Sequence, residues 1–106
     1  MKIKEIDNGH ILFDNGNQIT FDHCPDCCED NYADFEQLDD IARNATFNPE
    51  LDFEAINNSG FRFGNKPNNM YFVPCYSEQN GYYSDQIDIY YNDKRVLDFS
   101  AEFVYR

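Results

Sequence analysis

Positive charge is scarce in this chain. Eight Lys and Arg stand against twenty Asp and Glu, a net charge of −12. Nucleic-acid binding needs cationic side chains to replace condensed counterions along the phosphates, so a nucleic-acid role is rejected. Long apolar runs are missing too, and no stretch approaches the length that spans a bilayer. The opening Met1-Lys2-Ile3-Lys4-Glu5 has neither the apolar stretch nor the small-residue cleavage site of a secretory signal. The expectation is a cytoplasmic protein without a membrane partner. There is no Gly-rich phosphate loop, no His-Glu-x-x-His and no Gly-x-Ser-x-Gly. The acids between Asp26 and Asp34 lack the ligand spacing and central glycine of an EF-hand loop. Neither a catalytic activity nor a cofactor is expected.

What the chain does hold is aromatic: ten Phe and eight Tyr, 17% of its 106 residues, within a hydrophobic share of 42%. That is enough to bury a core, and the length suits one domain covering residues 1–106. Aromatic and β-branched residues favour sheet. The negative charge is uneven. From Glu5 to Phe61 there are fourteen acidic residues and one basic residue, Arg43; from Arg62 onward there are six and five. A basic protein partner or a cation suits the first half, although acidic surface also serves plain solubility.

Several elements are legible. Asn15-Gly16 between apolar runs is a strong hairpin cue. A two-residue loop there pairs Leu12 with Ile19 and His10 with Phe21 on the face expected to be core. Lys2 to Ile6 alternates as a preceding strand. Phe35, Leu38, Ile41 and Ala42 share one face of a helix running from Asp34 to Arg43, capped by Asp34 with Gln37 three residues on. Leu51 to Ile56 and Phe61 to Phe63 are short strands. Met70 to Tyr76 is a strand bent at Pro74, hence an edge or a bulge. Gln86 to Tyr91 and Val96 to Phe99 form a second hairpin. A three-residue loop at Asn92-Asp93-Lys94 sets Ile87 and Ile89 beside Phe99 and Leu97, whereas a two-residue loop would oppose Ile87 to Asp98. Glu102 to Tyr105 extends that strand or packs as a tail. The fold class expected is α+β, a mainly antiparallel sheet built from hairpins with one short amphipathic helix.

The cysteines admit three readings. Cys24-Pro25-Asp26-Cys27 has zinc-knuckle spacing, and Cys28, Cys75, His23 or His10 would complete four ligands, yet a structural site normally carries two such pairs. Cys-Pro-x-Cys also looks like a glutaredoxin-type dithiol facing Val73-Pro74, but Asp22, Asp26, Glu29 and Asp30 crowd the sulfurs and disfavour a thiolate. The third reading makes the free thiols small buried hydrophobes, with Cys27 and Cys28 pointing to opposite sides of an extended segment. This last is preferred.

Two runs, Asp26-Cys27-Cys28-Glu29 followed by Tyr32, and Asn80-Gly81-Tyr82-Tyr83-Ser84 followed by Ile87 and Ile89, frame the chain. In this order, with an opening hairpin and an acidic helical segment between them, the chain resembles a small uncharacterised domain family of phage and bacterial proteins. The resemblance spans roughly residues 10 to 99. Met70-Tyr71-Phe72-Val73-Pro74 and the additional Cys24 depart from the family pattern. The resemblance implies a compact sheet-rich domain with no established activity, and it couples the two runs. Gly81 then supplies a conformation that a side chain would block. Asp26, Glu29, Tyr82, Tyr83 and Ser84 form one candidate binding patch, the alternative being tyrosines that merely pack under a turn. The function expected is a non-enzymatic acidic binding domain in an inhibitor, immunity-like or phage accessory role, the alternative being a zinc-binding or thiol-redox domain centred on Cys24 to Cys28.

Overall fold

The first hairpin turns differently from the simplest expectation, and the consequence runs through the whole sheet. In the computed structural model, which describes residues 1–22, 30–81 and 83–105, strands β2 (His10–Phe13) and β3 (Gln18–Asp22) pair Ile11 with Ile19 and His10 with Thr20. The loop holds three residues, Asp14, Asn15 and Gly16. Phe13 N donates to Asn17 O at 2.8 Å, and Gly16, at φ 91°, donates to Phe13 O at 3.0 Å. Glycine takes that left-handed backbone without a Cβ penalty. One residue more in the loop slips the register by one, and a slip of one exchanges the faces. Ile11, Phe13 and Ile19 are therefore the buried residues, not the Leu12 and His10 face.

Strand β1 (Ile3–Ile6) pairs antiparallel with β2. β3 pairs with β8 (Gln86–Tyr91), and β8 pairs with β9 (Lys94–Ser100). Ile87 lies beside Phe99 and Ile89 beside Leu97, as expected, but by another route. The loop is the two residues Asn92 and Asp93, and a register shift between Ile89 and Tyr90 restores the apolar pairing. These five strands form one sheet in the order β1-β2-β3-β8-β9.

The second sheet is built on β7 (Asn69–Gln79), eleven residues long. It runs β10-β7-β6-β5, with β5 (Asp52–Ile56), β6 (Gly60–Asn65) and β10 (Glu102–Tyr105), and β4 (Asp30–Ala33) also pairs β7. Residues 69–74 of β7 pair with β6, and residues 75–79 pair with β4 and with β10. Pro74 sits at this change of partner. Cys75 N bonds Ser59 O at 3.0 Å, and the Pro74 carbonyl accepts from Asp34 N at 2.8 Å. The donor that proline lacks is thus on the side away from β6. Far from being an edge, β7 is the central strand. Glu102 to Tyr105 neither continues β9 nor hangs free: it crosses to the second sheet and runs parallel to β7.

The expectation of an α+β fold is overturned. Strands hold 58% of the described residues and helical turns 8%, so the architecture is nearly all-β. Where one helix from Asp34 to Arg43 was expected, Phe35–Gln37 forms a single 3₁₀ turn, Leu38 is extended at φ −61° and ψ 135°, and α1 (Asp40–Asn44) is a five-residue turn. Asp39 caps α1, its side chain accepting from Ile41 N at 3.0 Å. Asp34 instead accepts from Gln37 Nε2 at 2.6 Å. Aspartate bonds neighbouring amides in non-helical conformations, and a helix this short has little propagation to offset nucleation. Because the two turns are oriented separately, Phe35, Leu38 and Ala42 are buried while Ile41 is 66% exposed. They close one side of a single apolar cluster between the sheets, with Phe13, Ile11 and Ile89 from the first and Phe61, Phe63 and Val73 from the second. No helix among the described residues is long and apolar enough to cross a membrane.

Candidate binding surface

Past Pro74 the inward residues of β7 turn polar. Ser77 and Gln79 are buried with Asn31 of β4. A buried polar group must be hydrogen-bonded or it costs stability, and these three satisfy one another. Ser77 Oγ donates to Asn31 Oδ1, and Gln79 Nε2 donates to Ser77 Oγ at 2.6 Å. The remaining capacity is spent on the loop before β8. Asn31 Nδ2 donates to the carbonyls of Ser84 at 2.9 Å and Gln86 at 3.0 Å. Gln79 Nε2 also reaches the Ser84 carbonyl at 3.2 Å, and Gln79 Oε1 accepts from Tyr83 N at 2.8 Å. The loop is pinned from beneath at Tyr83 and Ser84, and the start of β8 at Gln86. Gly81 within it has φ 101°, the conformation expected of a residue that must be glycine.

The opposite face of the same strands is open to solvent. Register places Tyr32, Tyr76 and Glu102 side by side across β4, β7 and β10, and Asp30, Glu78 and Val104 in the next row. The alternation is clean: Asn31, Ala33, Cys75, Ser77 and Gln79 are buried, while Asp30 and Glu102 are exposed and Tyr32, Tyr76 and Glu78 half-buried. The rings of Tyr32 and Tyr76 lie 5.7 Å apart at 48°, and Tyr32 Oη donates to Glu78 Oε1 at 3.2 Å. Burial, then the negative charges of Glu78, Asp34 and Asp30, push the Tyr32 phenol up to about 12, so it stays a donor. A cleft of about 300 Å³ adjoins this face, lined by Asn8, Phe21, Asp30 and Tyr32. No lysine or arginine stands in either row.

A second acidic row crosses the first sheet. Asp22 opposes Asp88, and Asp88 opposes Asp98. Directly opposed like charges destabilise a sheet. Burial, then Asp98 and Asp22, hold the Asp88 carboxyl above its ordinary range, against a lowering contribution from Arg95. Arg95 reaches Asp98 at 4.0 Å.

Of the residues singled out from the sequence, His23, Cys24, Asp26, Cys27, Cys28, Glu29 and Tyr82 lie outside the described residues. Tyr83 and Ser84 belong to the pinned loop. The Ser84 carbonyl faces Asn31, and its hydroxyl accepts from Gln86 N at 3.1 Å. Asn31 lies two residues past Glu29, so the chain just beyond the first run is hydrogen-bonded to the second run. Cys75 is fully buried, its thiol against the Val73 carbonyl at 3.9 Å and pushed up to about 12 by burial and then by Asp34. That is a filler sulfur without a nucleophile's acidity and, among the described residues, without a ligand's neighbours. Among the described residues one group of three metal-ligating side chains comes within 4.8 Å, Glu5, Asp7 and His10, and Cys75 is not in it. In that group His10 Nε2 is 3.4 Å from Glu5 and Nδ1 is 3.3 Å from Asp7. Asp7 Oδ1 also accepts from the amides of Gly9 and His10, each at 2.8 Å. Carboxylates thus flank both ring nitrogens of His10. A hollow of about 520 Å³ beside α1 has Asp40 and Tyr71 as its ionisable groups.

Sequence inspection missed Tyr32, Tyr76, Glu78 and Glu102 as one surface. The available signal was alternation, Asp30/Tyr32 and Tyr76/Glu78. It is masked because the inward partners Asn31, Ser77 and Gln79 are polar as well. No family model, curated protein or solved structure matches this chain.

Proposed function

We propose that this chain is a non-enzymatic binding domain that engages a basic protein through the solvent face of β4, β7 and β10. The observation that carries this reading is the array of Tyr32 and Tyr76 with Asp30, Glu78 and Glu102, rigidly backed by buried, hydrogen-bonded strands. A lysine or arginine side chain placed there finds aromatic rings for its cationic head and stem, at about 0.5–1 kcal/mol for an exposed cation–π contact, and carboxylates within reach. The earlier attribution of the acidic surface to the first half of the chain is refined, since Glu78 and Glu102 come from the second. An inhibitor, immunity-like or phage accessory role fits such a domain, as does a cytoplasmic setting. Membership in the phage and bacterial family belongs to the same proposal. The zinc or thiol-redox alternative draws no support from Cys75.

The test is a titration with an oligolysine peptide, followed by amide and tyrosine ring shifts at low and high salt. Shifts centred on Tyr32, Tyr76 and Glu78, weakened by salt and by Tyr76→Ala with Glu78→Gln, are expected. Binding indifferent to salt or to that double variant overturns the reading.

A further inference from the structure

Among the described residues, β10 leaves one side of its backbone without a strand: Glu102–Tyr105 pairs with β7 alone and ends its sheet. An unpaired edge is a template for another strand, and proteins commonly blunt it by shortness, charge, proline or a bulge. Glu102-Phe103-Val104-Tyr105 is short and carries the one charge of Glu102, but it has no lysine and no proline. Two large side chains stand exposed there instead, Phe103 at 47% and Tyr105 at 76%.

The two faces of this edge differ in chemistry. Glu102 continues the row of Tyr32 and Tyr76, and beside that row lie Asp30 and Glu78. Phe103 and Tyr105, register neighbours of the buried Ser77 and Gln79, share the other face, where Gly81 packs near the Phe103 ring. A strand added outside β10 would extend both faces at once. On one face its side chains meet Glu102 and Val104, with Glu78 one strand further in, and on the other they meet aromatic rings. Successive residues of a strand point to opposite faces.

We infer that β10 is a docking edge for an extended segment of the basic partner in which lysine or arginine alternates with apolar residues. The segment joins the second sheet by strand addition. Main-chain hydrogen bonds to β10 supply affinity, and the alternation selects the segment and its register. A second copy of this chain is disfavoured as occupant by the net charge of −12 on each. The inference rests on the proposed binding of a basic partner and adds where and in what conformation the partner lies.

Three peptides separate the two levels: one alternating lysine with valine, the same peptide N-methylated at alternate backbone nitrogens, and oligolysine of equal charge. Each is titrated into the full chain at low salt by calorimetry, with hydrogen exchange read at Phe103 to Tyr105. The alternating peptide is expected to bind at least about tenfold more tightly than oligolysine and to lose about tenfold on methylation, the effect of roughly one hydrogen bond. It should slow exchange in β10. Phe103→Ser and, independently, Tyr105→Ser should weaken the alternating peptide and leave oligolysine unchanged. Equal binding of methylated and unmethylated peptides overturns the docking edge while the acidic-face reading stands. Failure of all three peptides overturns both. Self-association of the free chain that protects β10 from exchange overturns the choice of occupant.

Discussion

The two ends of β7 belong to different kinds of protein interior. Between Asn69 and Pro74 the strand lies against an aromatic cluster. Phe47 contacts Phe13, Phe63 and Tyr71 at ring separations of 5.8, 5.7 and 5.6 Å. Between Cys75 and Gln79 it lies over Asn31, Ser77 and Gln79, which bond one another and the loop at Ser84. Apolar burial is strong and non-directional. It holds the sheets together without specifying where a loop should sit. A satisfied buried polar network specifies one geometry and penalises departures from it. The first end therefore supplies stability, and the second supplies the shape beneath the proposed binding face.

This contrast can be broken most forcefully at the aromatic end. Phe63→Ala should cost about 3–5 kcal/mol in urea unfolding, because Phe63 is fully buried between Phe13, Phe47 and Phe61. The hydrogen bonds around Ser84 should survive in whatever fraction stays folded. At the polar end, Asn31→Ala takes the side-chain donor from the Gln86 carbonyl, leaves the Ser84 carbonyl to Gln79 Nε2 alone, and should cost about 1–3 kcal/mol. Its amide shift changes should concentrate at residues 77–86. Changes spread evenly over the aromatic cluster would erase the division of labour. At the junction, the Cys75 thiol, held near 12 by burial and by Asp34, should resist iodoacetamide until the protein unfolds, as read by peptide mapping. Prompt native labelling would place water where the two interiors meet.

The smallest effect concerns the first sheet. Asp88→Asn relieves the row with Asp22 and Asp98 and should stabilise by roughly 0.2–1 kcal/mol, toward the low end because solvent screens exposed charges. The sign with pH is fixed by the raised carboxyl. The folded state binds that proton more tightly than the unfolded state does, so ionisation penalises folding. The advantage of the variant over the parent is full at neutral pH and fades as pH falls through the folded pKa toward the ordinary value of 3.8. An advantage that grows in acid would contradict it.

Hairpin positions were legible because turn residues and apolar alternation act over a few neighbours. Asn15-Gly16 marked the first turn, but a loop of two or of three residues suits that pair, and the choice exchanges Leu12 for Ile11 in the core. The pairing of Ile87 with Phe99 was legible from the apolar faces, although a register shift between Ile89 and Tyr90 delivers it. The segment from Asp34 to Arg43 carried helical spacing that its four acids and the extended Leu38 interrupt. Tyr32, Tyr76, Glu78 and Glu102 were illegible as a surface, since they meet only through the pairing of strands far apart in sequence.

Composition and local spacing settle that this chain buries an aromatic, sheet-rich core and turns where glycine permits. Those properties depend on side-chain chemistry and on backbone torsions a few residues wide. Long-range pairing settles which face is buried, that β7 is central and not an edge, and that β10 leaves the sheet of β9 to run parallel with β7. Each of these needs two distant segments to compete for one strand, and a one-residue change of register reverses the outcome.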